Sequence, residues 1–243
     1  MSTPAAGAPA GSTPAGTTHP RLPARRGGGS GTWWSKAVLR AVEEAAFGVA
    51  DLRKGRALAR SGSVGSITVT DGGAVAAVTD GHDAWTVEVT VPVLDEGDAS
   101  AFTELVAAES GRIGALLAGQ LPHTFVEAVE EAGVELLPYG GELGSACTCD
   151  AWLDPCPHAL AVLTQLAWLI QADPFVLTHL RGLSRDRVLR DLHQLTRPAP
   201  GSEAPVGPTS AAQADELDDL VVAEDAAVRA ARLLGRESPF ESW

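Results

Sequence analysis

The chain has 243 residues, a formal net charge of −13 and three cysteines. This length allows a core of about 150 residues with tails, and the acidic charge excludes a uniformly basic surface of the kind that wraps nucleic acid. The odd number of cysteines excludes a closed disulfide framework and favours a reducing cytoplasm. The longest apolar run (residues 159–170) is well short of the roughly 20 residues that cross a bilayer, so we expect a soluble protein without membrane contact.

Both ends of the chain have a biased composition. Residues 1–31 are almost entirely Ala, Gly, Pro, Ser and Thr, and no apolar stretch follows Met1. We therefore expect no secretory signal and predict a disordered N-terminal arm, because such a segment cannot bury enough surface to offset its ordering entropy. At the other end, residues 198–214 predict a linker, and residues 215–243 predict an acidic tail with a helical pattern.

The first part of the core, residues 32–140, predicts an α+β domain. Helical periodicity covers residues 32–60, where Ser35 is placed to cap the helix. From Val64 onward the apolar period changes to two, and Asp-Gly turns separate three predicted strands, Val64–Thr70, Ala74–Thr79 and Ala84–Val91. Such strands favour a small antiparallel meander with one buried face and one solvated, acidic face.

Helical patterns return after the sheet. Two helices are predicted, over Ala101–Ala118 and from Pro122 to Gly133, and then a short strand over Val134–Leu137. Residues 159–170 predict an amphipathic helix that ends at Asp173-Pro174. Residues 173–197 predict a helical closing segment whose last helix is capped by Ser184 and has four apolar side chains facing inward: Val188, Leu189, Leu192 and Leu195.

All three cysteines lie within twelve residues of one histidine, in the set Cys147, Cys149, Cys156 and His158. Three thiolates and one imidazole form a complete tetrahedral set for Zn²⁺ with no vacancy for water, which favours one structural ion over a catalytic one. In an extended segment Cys147 and Cys149 point to the same side, and Pro157 suits the first turn of a following helix. The alternatives are buried core cysteines beside a buried histidine, or a redox pair, for which C-x-x-C spacing is usual.

Two carboxylates flank the cluster. Asp150 and Asp154 are candidates to accept a hydrogen bond from His158, which would orient its ring toward the ion. The alternative is that they cap turns and are solvated.

The pattern C-x-C-x6-C-x-H resembles the SWIM zinc finger, here over residues 141–172. Softer matches to bacterial SWIM-finger proteins are Trp33-Trp34 and Asp173-Pro174-Phe175. The resemblance implies a ββα-like finger within an α+β fold, with C-terminal helices after it. It also implies binding of DNA or protein, with a SWI/SNF-type DNA translocase (helicase) as the expected partner. One departure is Pro157, which stands where many relatives place a polar residue between the last Cys and His.

Two functions follow as expectations. The first is an interaction or adaptor module whose partner is a protein. The second is direct nucleic-acid binding through an arginine-rich segment beside the finger: Arg181, Arg185, Arg187 and Arg190. A further basic group occupies the N-terminal helical region: Lys36, Arg40, Arg53, Lys54, Arg56 and Arg60. We expect neither an enzyme nor a small-molecule substrate, because no P-loop, G-x-S-x-G, H-E-x-x-H or dinucleotide glycine motif occurs.

Overall fold

The structure, a computed structural model, describes residues 16–26 and 31–197. The predicted linker (198–214) and acidic tail (215–243) lie outside the described residues, as do residues 1–15 and 27–30 of the predicted arm. The described residues form eight α-helices and five strands in an α+β arrangement. No helix among them is both long enough and apolar enough to cross a bilayer.

The elements follow one another along the chain with short connections. Their bounds are β1 Thr17–His19, α1 Trp33–Ala45, α2 Val49–Ser61, β2 Val64–Thr70, β3 Gly73–Asp80, β4 Asp83–Thr90, α3 Glu96–Ala108, α4 Ser110–Leu117, α5 His123–Glu131, β5 Gly144–Cys147, α6 Pro157–Ala172, α7 Phe175–Leu180 and α8 Arg185–Thr196. A 3-10 turn, Gly140–Glu142, precedes β5.

The five strands form one antiparallel sheet in the order β1-β2-β3-β4-β5. The meander of β2, β3 and β4 confirms the three predicted strands to within a residue at each end. Alternation decides which face is buried: Val87 and Val89 are fully buried, whereas Glu88 between them is exposed. The predicted solvated face is therefore confirmed for this strand.

Helix α6 is the centre of the fold. It packs on the buried face of the sheet and is covered on its other side by α1 and α2. Twelve of its sixteen residues are buried, so it is enclosed on nearly all sides, unlike the amphipathic helix that we predicted. The buried amide of Gln165 is held by the carbonyl of Ala59, which accepts a hydrogen bond at 2.9 Å.

The prediction of disorder over residues 1–31 is wrong for residues 16–26. Residues Thr17–His19 pair with β2, and Leu22 packs against the core. Backbone hydrogen bonds along an otherwise open sheet edge offset the ordering entropy, and composition alone does not reveal that edge.

Two predicted helices are each divided in two. The helix predicted over residues 32–60 is broken at Ala46–Gly48 into α1 and α2, and Thr32, not Ser35, caps its start. The helix predicted over Ala101–Ala118 is divided at Glu109 into α3, which begins earlier at Glu96, and α4. Helical periodicity continues across both breaks, so the sequence pattern does not locate them.

Two smaller differences concern apolar side chains. Residues 134–137 form no strand, although Val134 and Leu136 are fully buried. In α8, Ser184 caps the helix as predicted, and Val188 is buried. Leu189 and Leu195 are exposed, because α8 packs through one narrow stripe on α3 and α7.

Candidate metal centre

The four predicted ligands converge at one end of the sheet. Cys147 is the last residue of β5, and Cys149 follows in the loop, whereas Cys156 and His158 lie at the start of α6. Their ligand atoms all lie within 4.8 Å of one another. Within residues 16–26 and 31–197, no other group of three or more Cys, His, Asp or Glu side chains is gathered in this way.

Local sequence explains the arrangement at the helix. Cys156 is the N-cap of α6, and its Sγ accepts a hydrogen bond from the Ala159 amide at 3.5 Å. Pro157 is in the first turn, where its missing N–H costs no helical hydrogen bond. The positive end of the helix dipole therefore faces the sulfurs and favours negative charge on them.

The separations within the cluster can be compared with those of a tetrahedral metal site. Nδ1 of His158 lies 3.8 Å from Sγ of Cys147 and 3.9 Å from Sγ of Cys156. For zinc with Zn–S of about 2.3 Å and Zn–N of about 2.0 Å, a tetrahedral angle gives an N–S separation of about 3.5 Å. These two separations exceed that value by a few tenths of an ångström, and the four donors, all within 4.8 Å of one another, would fit one metal ion.

The surroundings of Cys147 and Cys156 disfavour ionisation of their thiols. Burial raises the pKa of Cys147 to about 12, and the neighbouring cysteine sulfurs contribute to the rise. Burial also raises the pKa of Cys156. Thiolate ligands at neutral pH therefore depend on the charge of a bound metal ion, which deprotonates a coordinating thiol.

The acceptor for His158 is Asp80, at the end of β3, and neither Asp150 nor Asp154 fills that role. Nε2 of His158 lies 3.3 Å from Oδ2 of Asp80, so the ring donates there and leaves Nδ1 facing the sulfurs. Lys54 of α2 holds the same carboxylate at 2.7 Å. Hydrogen bonds from Lys54 and then His158 lower the pKa of Asp80, which keeps it ionised as an acceptor.

The remaining neighbours of the cluster have different roles. Trp85 stacks on the His158 ring, with centroids 5.9 Å apart and planes at 28°. Asp154 joins the loop to β5 by accepting a hydrogen bond from Ser145 at 2.5 Å, whereas Asp150 is exposed. Trp152, at the middle of the loop, is 90% exposed.

The four arginines predicted as a binding surface do not form one. Arg181 is buried and donates to the carbonyls of Pro92 and Glu135, with a carboxylate oxygen of Glu142 at 3.6 Å, so it is a structural residue that cannot reach a phosphate. Arg187 is paired with Glu96 and Asp191.

The other two arginines of that set lie at the surface of α8. The Arg185 guanidinium stacks over the ring of Phe175, and Arg190 is exposed. Of the four predicted arginines, Arg185 and Arg190 are therefore the two that are exposed, and their contact with a partner stays a prediction.

The sequence is 29% identical over 170 residues, 69% of this chain, to Rv2102, an uncharacterized protein of Mycobacterium tuberculosis. The match covers 61% of that protein's length. No protein-family model matches the chain, and no solved structure matches it. The relative's name states no activity, so function is inferred from the metal centre itself.

Proposed function

We propose that this protein is a zinc-binding interaction module, in which one Zn²⁺ held by Cys147, Cys149, Cys156 and His158 fixes the surface that a protein partner recognises. The observation that supports it is the convergence of four ligand atoms within 4.8 Å. Three sulfurs and one imidazole nitrogen favour zinc over harder cations such as Mg²⁺ or Ca²⁺. When bound, the ion would connect the sheet to α6 through metal–ligand bonds.

The proposed role of the ion is structural. Four protein donors complete a tetrahedral shell, whereas a catalytic zinc ion keeps a position for water or substrate. Helix α6, whose N-terminus carries two of the proposed ligands, has twelve of its sixteen residues buried and packs on the sheet, α1 and α2. Metal binding at its N-terminus would therefore stabilise the core and leave the loop as the exposed part.

We propose a SWIM-type finger for this site and a SWI/SNF-type DNA translocase as its partner. The C-x-C and C-x-H spacing supports the first part. The exposed indole of Trp152 supports a protein partner, because exposed aromatic side chains are frequent anchors of protein interfaces. The ligands on both sides of the loop would hold this indole in a fixed position.

Elemental analysis of the full-length protein, purified under reducing conditions, tests the zinc proposal. We expect one zinc ion per chain in the wild type and a large loss in Cys156→Ser and His158→Asn. His193→Asn is the matched control, because His193 is an exposed histidine of α8 outside the cluster. A wild-type protein that contains no zinc would refute the proposal.

Affinity purification from the native host tests the partner. After nuclease treatment, we expect mass spectrometry to identify a DNA translocase with the wild type and with Phe47→Ala, but not with Trp152→Ala. Phe47 is a suitable control because it is also an exposed aromatic residue, 68% accessible, in the connection between α1 and α2. If zinc-loaded protein recovered no translocase, the adaptor role would be contradicted, whereas the proposal of a zinc site would not be affected.

A further inference from the structure

A group of exposed arginines lies where residues 21–26 cross the end of α2. This group, called here the arginine patch, contains five exposed arginines: Arg21, Arg25, Arg26, Arg53 and Arg60. Three of them belong to the segment that composition predicts to be disordered, so the sequence does not reveal that they meet the arginines of α2.

Backbone and side-chain contacts bring the two parts of the patch together. Nε of Arg21 donates a hydrogen bond of 2.8 Å to the carbonyl of Gly62, the residue that ends α2. The amide of Arg25 donates a hydrogen bond of 2.9 Å to the carbonyl of Arg60. Residues 21–26 are therefore fixed against the last turn of α2.

Two further features extend the patch. Arg53 lies two helical turns before Arg60, which places it on the same side of α2 at about 10 Å along the axis. The guanidinium of Arg25 is 4.7 Å from the ring centroid of Trp168 in α6, a cation–π contact that holds it at the surface. The patch thus runs from the middle of α2 to the crossing segment.

Among the described residues, the charges of the patch are not paired with carboxylates. In residues 16–26 and 31–197, none of the five arginines forms a salt bridge. Other basic residues of α1 and α2 do: Arg40 pairs with Glu44, and Arg56 pairs with Glu43. Like charges on one surface repel one another, and a polyanion that binds across them relieves that repulsion.

We propose that the arginine patch binds the phosphate backbone of nucleic acid. All five cations are guanidinium groups, whose planar forks match phosphate oxygens in a bidentate way and which are weakly hydrated for a cation. Because the chain carries a net charge of −13, a polyanion is repelled elsewhere and contact is confined to a few phosphates. This inference goes beyond the proposed zinc module and does not depend on its partner.

Salt-dependent binding of full-length protein to a fluorescent DNA duplex tests the proposal. We expect three or four phosphates to be contacted. A plot of the logarithm of the binding constant against the logarithm of the NaCl concentration, between about 50 and 200 mM, should then have a slope of about −3. In Arg53→Gln/Arg60→Gln, we expect the slope to become shallower by about one per arginine and the affinity at the lowest salt to fall at least about tenfold.

The matched control is Arg185→Gln/Arg190→Gln on α8, which removes the same charge from exposed positions outside the patch. We expect this variant to bind with the wild-type slope. Thermal unfolding of both variants shows whether each retains the wild-type fold. Within the part of the chain that the structure describes, none of these four arginines forms a salt bridge.

Three outcomes would overturn the proposal. The wild type could fail to bind the duplex at the lowest salt. The two double variants could weaken binding equally, which would indicate a general effect of net charge. A labelled polyglutamate peptide could bind the patch more tightly than the duplex at the same salt, which would assign the surface to an acidic protein segment.

Discussion

At the residue scale, the orientation of one imidazole decides which of its nitrogens faces the cysteine sulfurs of the candidate metal centre. His158 is buried, and its two nitrogens face different groups: Nδ1 faces the cysteine sulfurs, and Nε2 faces Asp80. A carboxylate that accepts from the far nitrogen fixes the tautomer and increases the basicity of the ligand nitrogen. Asp80, held in turn by Lys54, is therefore a positioning residue for the ligand.

Replacing that acceptor should weaken metal binding without removing a ligand. We expect Asp80→Asn to lower zinc affinity by about 10- to 100-fold, the range found when such partners of ligating histidines are lost. Competition with a chromophoric chelator measures the change. Asp83→Asn is the control, because Asp83 is the exposed carboxylate across the same β3–β4 turn and should leave affinity unchanged. If Asp80→Asn and the wild type bound zinc with equal affinity, the positioning role of Asp80 would be contradicted. If the wild type contained no zinc, Asp80 would have no metal ligand to position.

At the element scale, the metal centre depends on the close packing of α2 on α6. A side chain at Gly55 would place its Cβ 2.7 Å from Cβ of Leu160 and 2.9 Å from the carbonyl oxygen of Pro157, the first residue of α6. Both distances are below any normal contact, and the second partner is backbone. Glycine at this position therefore sets the separation of the two helices and the position of the helix end that carries Cys156.

We expect Gly55→Ala to destabilise the protein by about 1–3 kcal/mol, the usual cost of overpacking a core, and to lower zinc affinity as well. Denaturant unfolding and chelator competition on the same samples measure both effects. Gly114→Ala is the control: a Cβ there meets nothing within 4 Å in α4, and alanine should be neutral or stabilising by up to about 1 kcal/mol. A Gly55→Ala protein as stable as wild type would show that the helices separate without cost.

At the scale of the whole molecule, the ligands connect two layers. Cys147 belongs to the edge strand β5, which pairs with β4, whereas Cys156 and His158 begin the central helix. The predicted boundary between the α+β domain and the finger, at residues 140 and 141, therefore falls within one packed body. An ion at this point would fasten the sheet edge to the core.

Removing the metal should consequently loosen one region and not the whole protein. After treatment with a chelator under reducing conditions, we expect a lower Tm and faster amide exchange in β5 and the loop of residues 148–156, because metal-binding energy is partly folding energy. Helices α3 and α5, which pack through Phe102 and Phe125 away from the cluster, should stay protected. Unchanged exchange in β5 after complete metal removal would contradict a structural role.

The sequence alone determined the features that depend on neighbours within a few residues. The sequence predicted the alternation of β2 to β4, the cap at Ser184 and the proline at the start of α6, and all three are present. The predicted gathering of three cysteines and one histidine is also present. Each of these is a local pattern, in which side-chain type and spacing decide which atoms can meet.

Tertiary structure decided what depends on residues far apart in the chain. Asp80 is 78 positions from His158, and nothing in its own neighbourhood marks it as an acceptor. Likewise, pairing with β2 orders residues 17–19, and Arg181 is buried where it donates to the carbonyls of Pro92 and Glu135. The sequence predicts neither the contact of residues 21–26 with the end of α2 nor the burial of Arg181. These outcomes depend on which surfaces pack together, because packing determines whether a given charge is paired, buried or free.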